Sequence, residues 1–122
     1  MSSRPDALVL CYPVISSGKF ANTGSFDNLL GKDSSVAERE EMSLEKHVRP
    51  DTPPAFLWST SDDQGVPVEN SLLFAMALRE KGISFEMHIF PHGPHGMGLA
   101  TNDPAVSAWA PLCAKWLNGM GW

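Results

Sequence analysis

Apolar residues fall into short runs separated by longer segments in which they recur about every 3.6 positions or thin out altogether. Ala7-Leu8-Val9-Leu10-Cys11-Tyr12 is apolar without alternation and is bounded by Pro5-Asp6 and Pro13. Such a run predicts a strand covered on both faces, as in a parallel sheet. From Ile15 to Gly31 the polar residues dominate, and the pattern predicts an irregular segment with one helical turn before Gly31. Ser35 followed by Glu38 reads as a capping box opening a charged surface helix from Ala37 to Met42. Pro50-Asp51-Thr52-Pro53-Pro54 delivers an extended chain into a second buried run, Ala55-Phe56-Leu57-Trp58-Ser59.

From Val68 the period changes to that of a helix, with Leu72, Leu73, Met76 and Ala77 on one side and Gly82 as the terminating residue. Phe85 to Phe90 alternates, which predicts an edge strand with Phe85, Met87 and Ile89 buried and Glu86 and His88 facing outward. Asp103-Pro104 caps a final helical stretch whose Trp109, Cys113, Trp116 and Leu117 form a core stripe, interrupted where Pro111 breaks or restarts the helix near Ala110. The alternation of strand and helix predicts an α/β fold, a three-stranded parallel sheet flanked by helices, with residues 1–122 as a single domain.

Composition narrows the function classes. An apolar content of 43% supports one core without metal or disulfide staples. With 9 Lys+Arg against 14 Asp+Glu and no basic cluster, nucleic acid is not an expected partner. Cys11 and Cys113 sit in apolar contexts with no CxxC spacing and read as free thiols. No membrane-length apolar run and no signal-peptide core is present in the sequence, so a cytoplasmic location without membrane association is expected.

Candidate chemistry concentrates in two loops that follow predicted strands. One, Ser61-Asp62-Asp63-Gln64-Gly65-Val66-Pro67, presents two carboxylates; the other, Pro91-His92-Gly93-Pro94-His95-Gly96-Met97-Gly98-Leu99, sets two histidines among glycines and prolines. An acid followed by a histidine, each after a strand, is the back half of the serine, acid, histidine order of α/β-hydrolases. The plain alternatives are an aspartate that closes its own turn and a histidine that caps one. His88, His92 and His95 also form His-x3-His-x2-His, a possible metal spacing, although the change from strand to Gly-Pro loop argues against convergence and no cofactor is implied. His92 is expected to hydrogen-bond within its own turn.

Tyr12-Pro13-Val14-Ile15, Asn28-Leu29-Leu30-Gly31, Asp51-Thr52-Pro53-Pro54, Asp63-Gln64-Gly65-Val66-Pro67-Val68-Glu69-Asn70-Ser71 and His92 to Leu99 resemble the C-terminal part of the α/β-hydrolase esterases related to acetyl-xylan esterases and prolyl-oligopeptidase-like hydrolases. The resemblance implies a carboxylic-ester hydrolase acting on small esters. It places the triad acid at Asp63, within Asp-x-x-Val-Pro, and the base at His95, within His-Gly-Met-Gly-Leu; Asp62 is the second candidate acid. The family's Gly-x-Ser-x-Gly nucleophile is not found in this sequence. Gly82-Ile83-Ser84-Phe85-Glu86 lacks the closing glycine and runs into a strand.

The expectation is therefore a truncated α/β-hydrolase domain lacking the nucleophile half. Its hydroxyl would come from Ser16, Ser17 or Ser25 near the first strand, or from a partner. A non-catalytic α/β module or a small-molecule-binding protein is the alternative. Because the strand Ala7–Tyr12 would then have an open apolar edge, a homodimer through that strand is also expected.

Overall fold

The structure, a computed structural model, describes residues 2–122. Three strands, β1 (Leu8–Cys11), β2 (Ala55–Thr60) and β3 (Phe85–Phe90), form a parallel sheet in the order β1-β2-β3. The register pairs Leu10 with Leu57 and Leu57 with Met87. Every residue of β2 is buried, which explains why its sequence carries no polar alternation. Its odd-numbered side chains Ala55 and Leu57 enter one core with Ile15, Phe74 and Leu78, and its even-numbered Phe56 and Trp58 enter another with Val106, Trp109 and Cys113.

Helices supply both covers. Between β1 and β2 the chain forms α1 (Thr23–Leu30) and α2 (Val36–Glu41), and α3 (Glu69–Glu80) connects β2 to β3. The final helix, α4 (Trp109–Gly119), follows a short 3₁₀ turn at Val106–Ala108 and lays its tryptophans on the Phe56/Trp58 face, where Trp58 and Trp109 stack with centroids 5.3 Å apart. Pro111 occupies the first turn of α4, where its missing N–H removes no essential helical bond, so the helix restarts at Trp109, slightly before the expected point. The capping box forms as read: Ser35 Oγ accepts the Glu38 N–H at 3.1 Å and Glu38 Oε2 accepts the Ser35 N–H at 2.7 Å. That backbone bond and the Ser35 hydroxyl hold the Glu38 carboxyl below its ordinary range.

Three details depart from the pattern-based expectations. β1 is shorter than Ala7–Tyr12, because Tyr12 leaves the extended region with φ +40°. The segment before Gly31 holds a full helix, α1, capped by Asn22 Oδ1 on the Ser25 N–H at 2.9 Å, instead of a single turn. In β3 the alternation fails at its end: Phe85 and Met87 pack on the α3 core but Ile89 is exposed, while His88 is half-buried against Phe56 with ring centroids 5.5 Å apart. Both faces are only partly covered at this edge, where no residue of β3 is fully buried, so period two does not sort side chains into wet and dry.

Candidate active site

The β2 strand ends in a turn that aspartate builds from its own side chain. Asp63 Oδ1 accepts the backbone N–H groups of Gly65 at 2.8 Å and Val66 at 2.9 Å, which closes the loop and leaves Oδ2 free to point elsewhere. It points at His95, whose Nδ1 lies 2.8 Å away. The Asp63 side chain is 1% exposed and that of His95 37%, so the bond is shielded on the acid side and open on the imidazole side. An ionised carboxylate only accepts, so against it Nδ1 is the donor, and in the neutral imidazole Nε2 is then the atom with the lone pair. Gly65 packs closely here: a Cβ at that position would stand 3.3 Å from His95 Cβ, a tight contact that the histidine would have to yield to by a few tenths of an ångström.

The two loops are laced together beyond the ends of their strands. Ser61 N–H donates to the Phe90 carbonyl at 2.8 Å, its hydroxyl to the Pro91 carbonyl at 2.9 Å, and the Thr60 hydroxyl to the Gly93 carbonyl at 2.6 Å. Asp62 Oδ1 accepts the Gly93 N–H at 2.9 Å, and its Oδ2 sits 3.1 Å from His92 Nδ1. The Gly93 N–H, with His92 second, holds the Asp62 carboxyl below the ordinary carboxylate range. His92 thus bonds across to the acid loop and not within its own turn, because Asp62 reaches it first. Asp62, the second candidate acid, is committed to this outer pair and makes no hydrogen bond to His95.

Among the described residues no group of three metal-ligating side chains converges. His88, His92 and His95 instead face three different carboxylates, those of Glu86, Asp62 and Asp63. The hydroxyls of two candidate serines, Ser16 and Ser25, are engaged elsewhere, and Ser17 is held through its backbone. Ser16 is buried, donates its hydroxyl to Glu45 Oε1 at 2.8 Å and accepts the Gly18 N–H at 3.1 Å; the Ser17 N–H bonds Ser43 Oγ, and Ser25 Oγ bonds Asn22 Oδ1. None of them hydrogen-bonds the His95 ring.

A cleft of about 440 Å³ opens beside His95, lined by Asp62, Gln64, His92, Pro94, His95 and Asp103. A larger groove of about 790 Å³ between α3 and β3 is apolar, lined by Leu72, Met76, Phe85 and Met87, and shares no residue with the cleft. The contacts that sequence reasoning missed are Tyr12, whose ring centroid lies 4.7 Å from that of His95, and Asn22, whose side-chain amide donates to the Gly65 carbonyl at 2.7 Å. A tyrosine at a strand end carried no signal beyond the short Tyr12-Pro13 match.

Residues 15–118 match the model of the prolyl oligopeptidase family. The chain belongs to that family. The chain is 48% identical over 110 residues to endo-1,4-beta-xylanase B of Butyrivibrio fibrisolvens, covering 90% of this chain and 17% of that protein. It is 36% identical over 103 residues to an acetylxylan esterase of Xylanibacter ruminicola, covering 80% of this chain and 22% of that protein. Among solved structures, the acetyl ester-xyloside bifunctional hydrolase of Caldicellulosiruptor lactoaceticus superposes with a TM-score of 0.94 at 54% identity, over 97% of this chain and 43% of that one. A carboxylesterase of Lactobacillus plantarum superposes at 0.80 with 28% identity. The chain thus spans about a fifth of the curated relatives' length, and its three-stranded sheet corresponds to part of an α/β-hydrolase fold.

Proposed function

We propose that this prolyl-oligopeptidase-family chain provides the base and the orienting acid of a serine esterase, as one domain that contributes the histidine half of the fold. The observation that carries this reading is the 2.8 Å contact between His95 Nδ1 and a carboxylate whose side chain is 1% exposed. His95 Nε2 takes the proton of a serine hydroxyl as that oxygen attacks the ester carbonyl, then gives the proton to the departing alkoxide. Water repeats the cycle on the acyl-enzyme and releases the acid. Asp63 fixes the tautomer and stabilises the imidazolium. None of Ser16, Ser17 and Ser25 hydrogen-bonds His95 and no Gly-x-Ser-x-Gly segment stands in these 122 positions, so this reading takes the hydroxyl and the oxyanion-stabilising groups from residues outside them. The names of the two xylan-related relatives support acetyl esters of xylose-containing carbohydrate as the substrate class.

The test is a chimera in which this chain replaces the matching part of the Caldicellulosiruptor hydrolase. Release of acetate or nitrophenol from acetyl esters is expected, and both His95→Ala and Asp63→Ala should remove it. A folded chimera that hydrolyses acetyl esters equally well with and without His95 overturns the assignment.

A second copy of the chain is proposed to pair at β1. Its support is the open edge of that strand, which among the described residues bonds only β2, and Val9, apolar and 43% exposed. Light scattering that reports a monomer at micromolar concentration rules this pairing out.

A further inference from the structure

Tyr12 is the residue whose geometry the proposed reaction leaves unexplained. Its N–H donates to the Trp58 carbonyl at 2.7 Å, one step past the β1–β2 ladder, yet its φ is +40°, a conformation that a bulky side chain adopts only when its surroundings impose it. The turn carries the ring off the sheet and onto the site. There it stands edge-on to Trp58, with centroids 5.1 Å apart at 88°, and edge-on to the His95 imidazole, 4.7 Å apart at 72°. Its hydroxyl accepts the Gly98 N–H at 3.3 Å, in the same loop as His95.

The mechanical need is visible in the rest of the site. Asp63 holds His95 through a single atom, Nδ1, and the imidazole side chain is 37% exposed. One hydrogen bond fixes a point, and the ring can still swing about it. The Tyr12 ring, set at 72° to the imidazole with centroids 4.7 Å apart, blocks that swing, and the buried Trp58 indole against Tyr12 keeps it from yielding. The hydroxyl bond to Gly98 then ties the same support to the backbone three residues beyond His95.

We propose that Tyr12 is the positioning residue of His95: its strained backbone sets a ring that stops the imidazole from rotating off the line between Asp63 and the nucleophile. This rests on the assignment of His95 as the base, but it is read without turnover, on the full chain, by nuclear magnetic resonance. In the wild-type chain, cross-relaxation between the Tyr12 ring protons and the His95 carbon-bound protons is expected, together with a slowly exchanging Nδ1 proton. Tyr12→Asn keeps a residue tolerant of positive φ and deletes the ring; loss of the Nδ1 resonance with α3 amide shifts unchanged is expected. Tyr12→Phe should restore that resonance while the Gly98 amide exchanges faster.

An unchanged Nδ1 resonance and unchanged His95 shifts in folded Tyr12→Asn overturn the proposal. If neither variant folds, the wild-type spectrum decides: ring-to-ring cross-relaxation supports it and its absence overturns it. A wild-type chain with that cross-relaxation but no protected Nδ1 proton counts against the His95–Asp63 base assignment instead.

Discussion

Asp63→Asn changes one atom in a side chain that makes three bonds, and its effect can be worked out from which of them an amide can keep. The carboxylate accepts from Gly65, Val66 and His95 at 2.8, 2.9 and 2.8 Å. If the asparagine turned its NH₂ toward Gly65 and Val66, donors would face donors, at a cost of about 1–3 kcal/mol for each orphaned N–H. The amide oxygen therefore stays on the turn, and the NH₂ faces Nδ1. Nδ1 must then accept, so the imidazole proton moves to Nε2, the atom that should take the serine proton. All three charge-assisted bonds become neutral ones at about 1 kcal/mol each, giving a loss of about 3 kcal/mol, an upper figure because the neutral amide is easier to bury. For a domain of this size that corresponds to a fall in Tm of roughly 12 °C at most. Urea and thermal unfolding followed by tryptophan fluorescence measure the first effect, and ¹⁵N shifts of the His95 ring measure the second. In the chimera, kcat should fall about 10⁴-fold, the scale of the tautomer error in serine proteases. A variant that keeps the proton on Nδ1 while remaining fully stable refutes this account of the pair.

Other outcomes follow from the same contacts. Asn70, 1% exposed, accepts the Ile15 and Ser16 N–H groups and donates to the Phe20 and Pro67 carbonyls, so Asn70→Ala should cost about 3 kcal/mol or more by urea denaturation, and a loss below about 1 kcal/mol contradicts its role as the anchor of the segment after β1. Gly93→Ala places a Cβ 2.6 Å from Met97 Sδ and 2.9 Å from Thr60 Cγ2; methionine can move and the buried threonine cannot, so a loss of about 1–3 kcal/mol with displaced His95 signals is expected, and a neutral change means the loop is looser than drawn. The lowered Asp62 carboxyl contributes to folding above its unfolded value of about 3.9 and ceases to as pH falls through its lower folded value, so the Gly93 amide shift should titrate with a midpoint below about 3.9; a midpoint at or above that figure breaks the link between them. Burial raises both the Cys11 and Cys113 thiols, so alkylation at pH 8 should be slow in the native chain and fast in urea, and rapid native labelling of Cys113 would contradict its burial in the tryptophan core.

What could be read from the sequence and what could not divide along a physical line. The unbroken run around Phe56 to Trp58, the Ser35–Glu38 box and the Gly82 stop each depend on residues a few positions apart, and each appears where its pattern puts it. The acid and histidine loops were legible for the same reason, since Asp63 builds its turn with Gly65 and Val66 and the surrounding glycines permit the histidine loop. α1 was underestimated because Gly24, Ser25 and Asn28 are weak helix formers; the helix is held by burial of Phe26 and by Asn22, which caps it and also binds Gly65 in a distant loop. Ile89 was misplaced because alternation assumes one face covered along its whole length, whereas the α3 core that takes Phe85 and Met87 does not include Ile89.

The His92–Asp62 pair and the Tyr12 support were invisible for a further reason. They join residues 30 or more positions apart, and no local propensity announces them. That separation makes the Asp63–His95 contact informative beyond its motifs. Two matched loops specify where an acid and a base stand in the chain, but nothing in either loop compels Oδ2 and Nδ1 to approach within 2.8 Å. Their approach depends on Thr60, Ser61 and Asp62 binding the carbonyls and amide of residues 90–93, and on Gly65 leaving room for His95 Cβ. Neutral substitutions of those lacing residues should therefore weaken the pair without touching either member of it, whereas a turn-closing aspartate and an unrelated capping histidine would leave each other undisturbed.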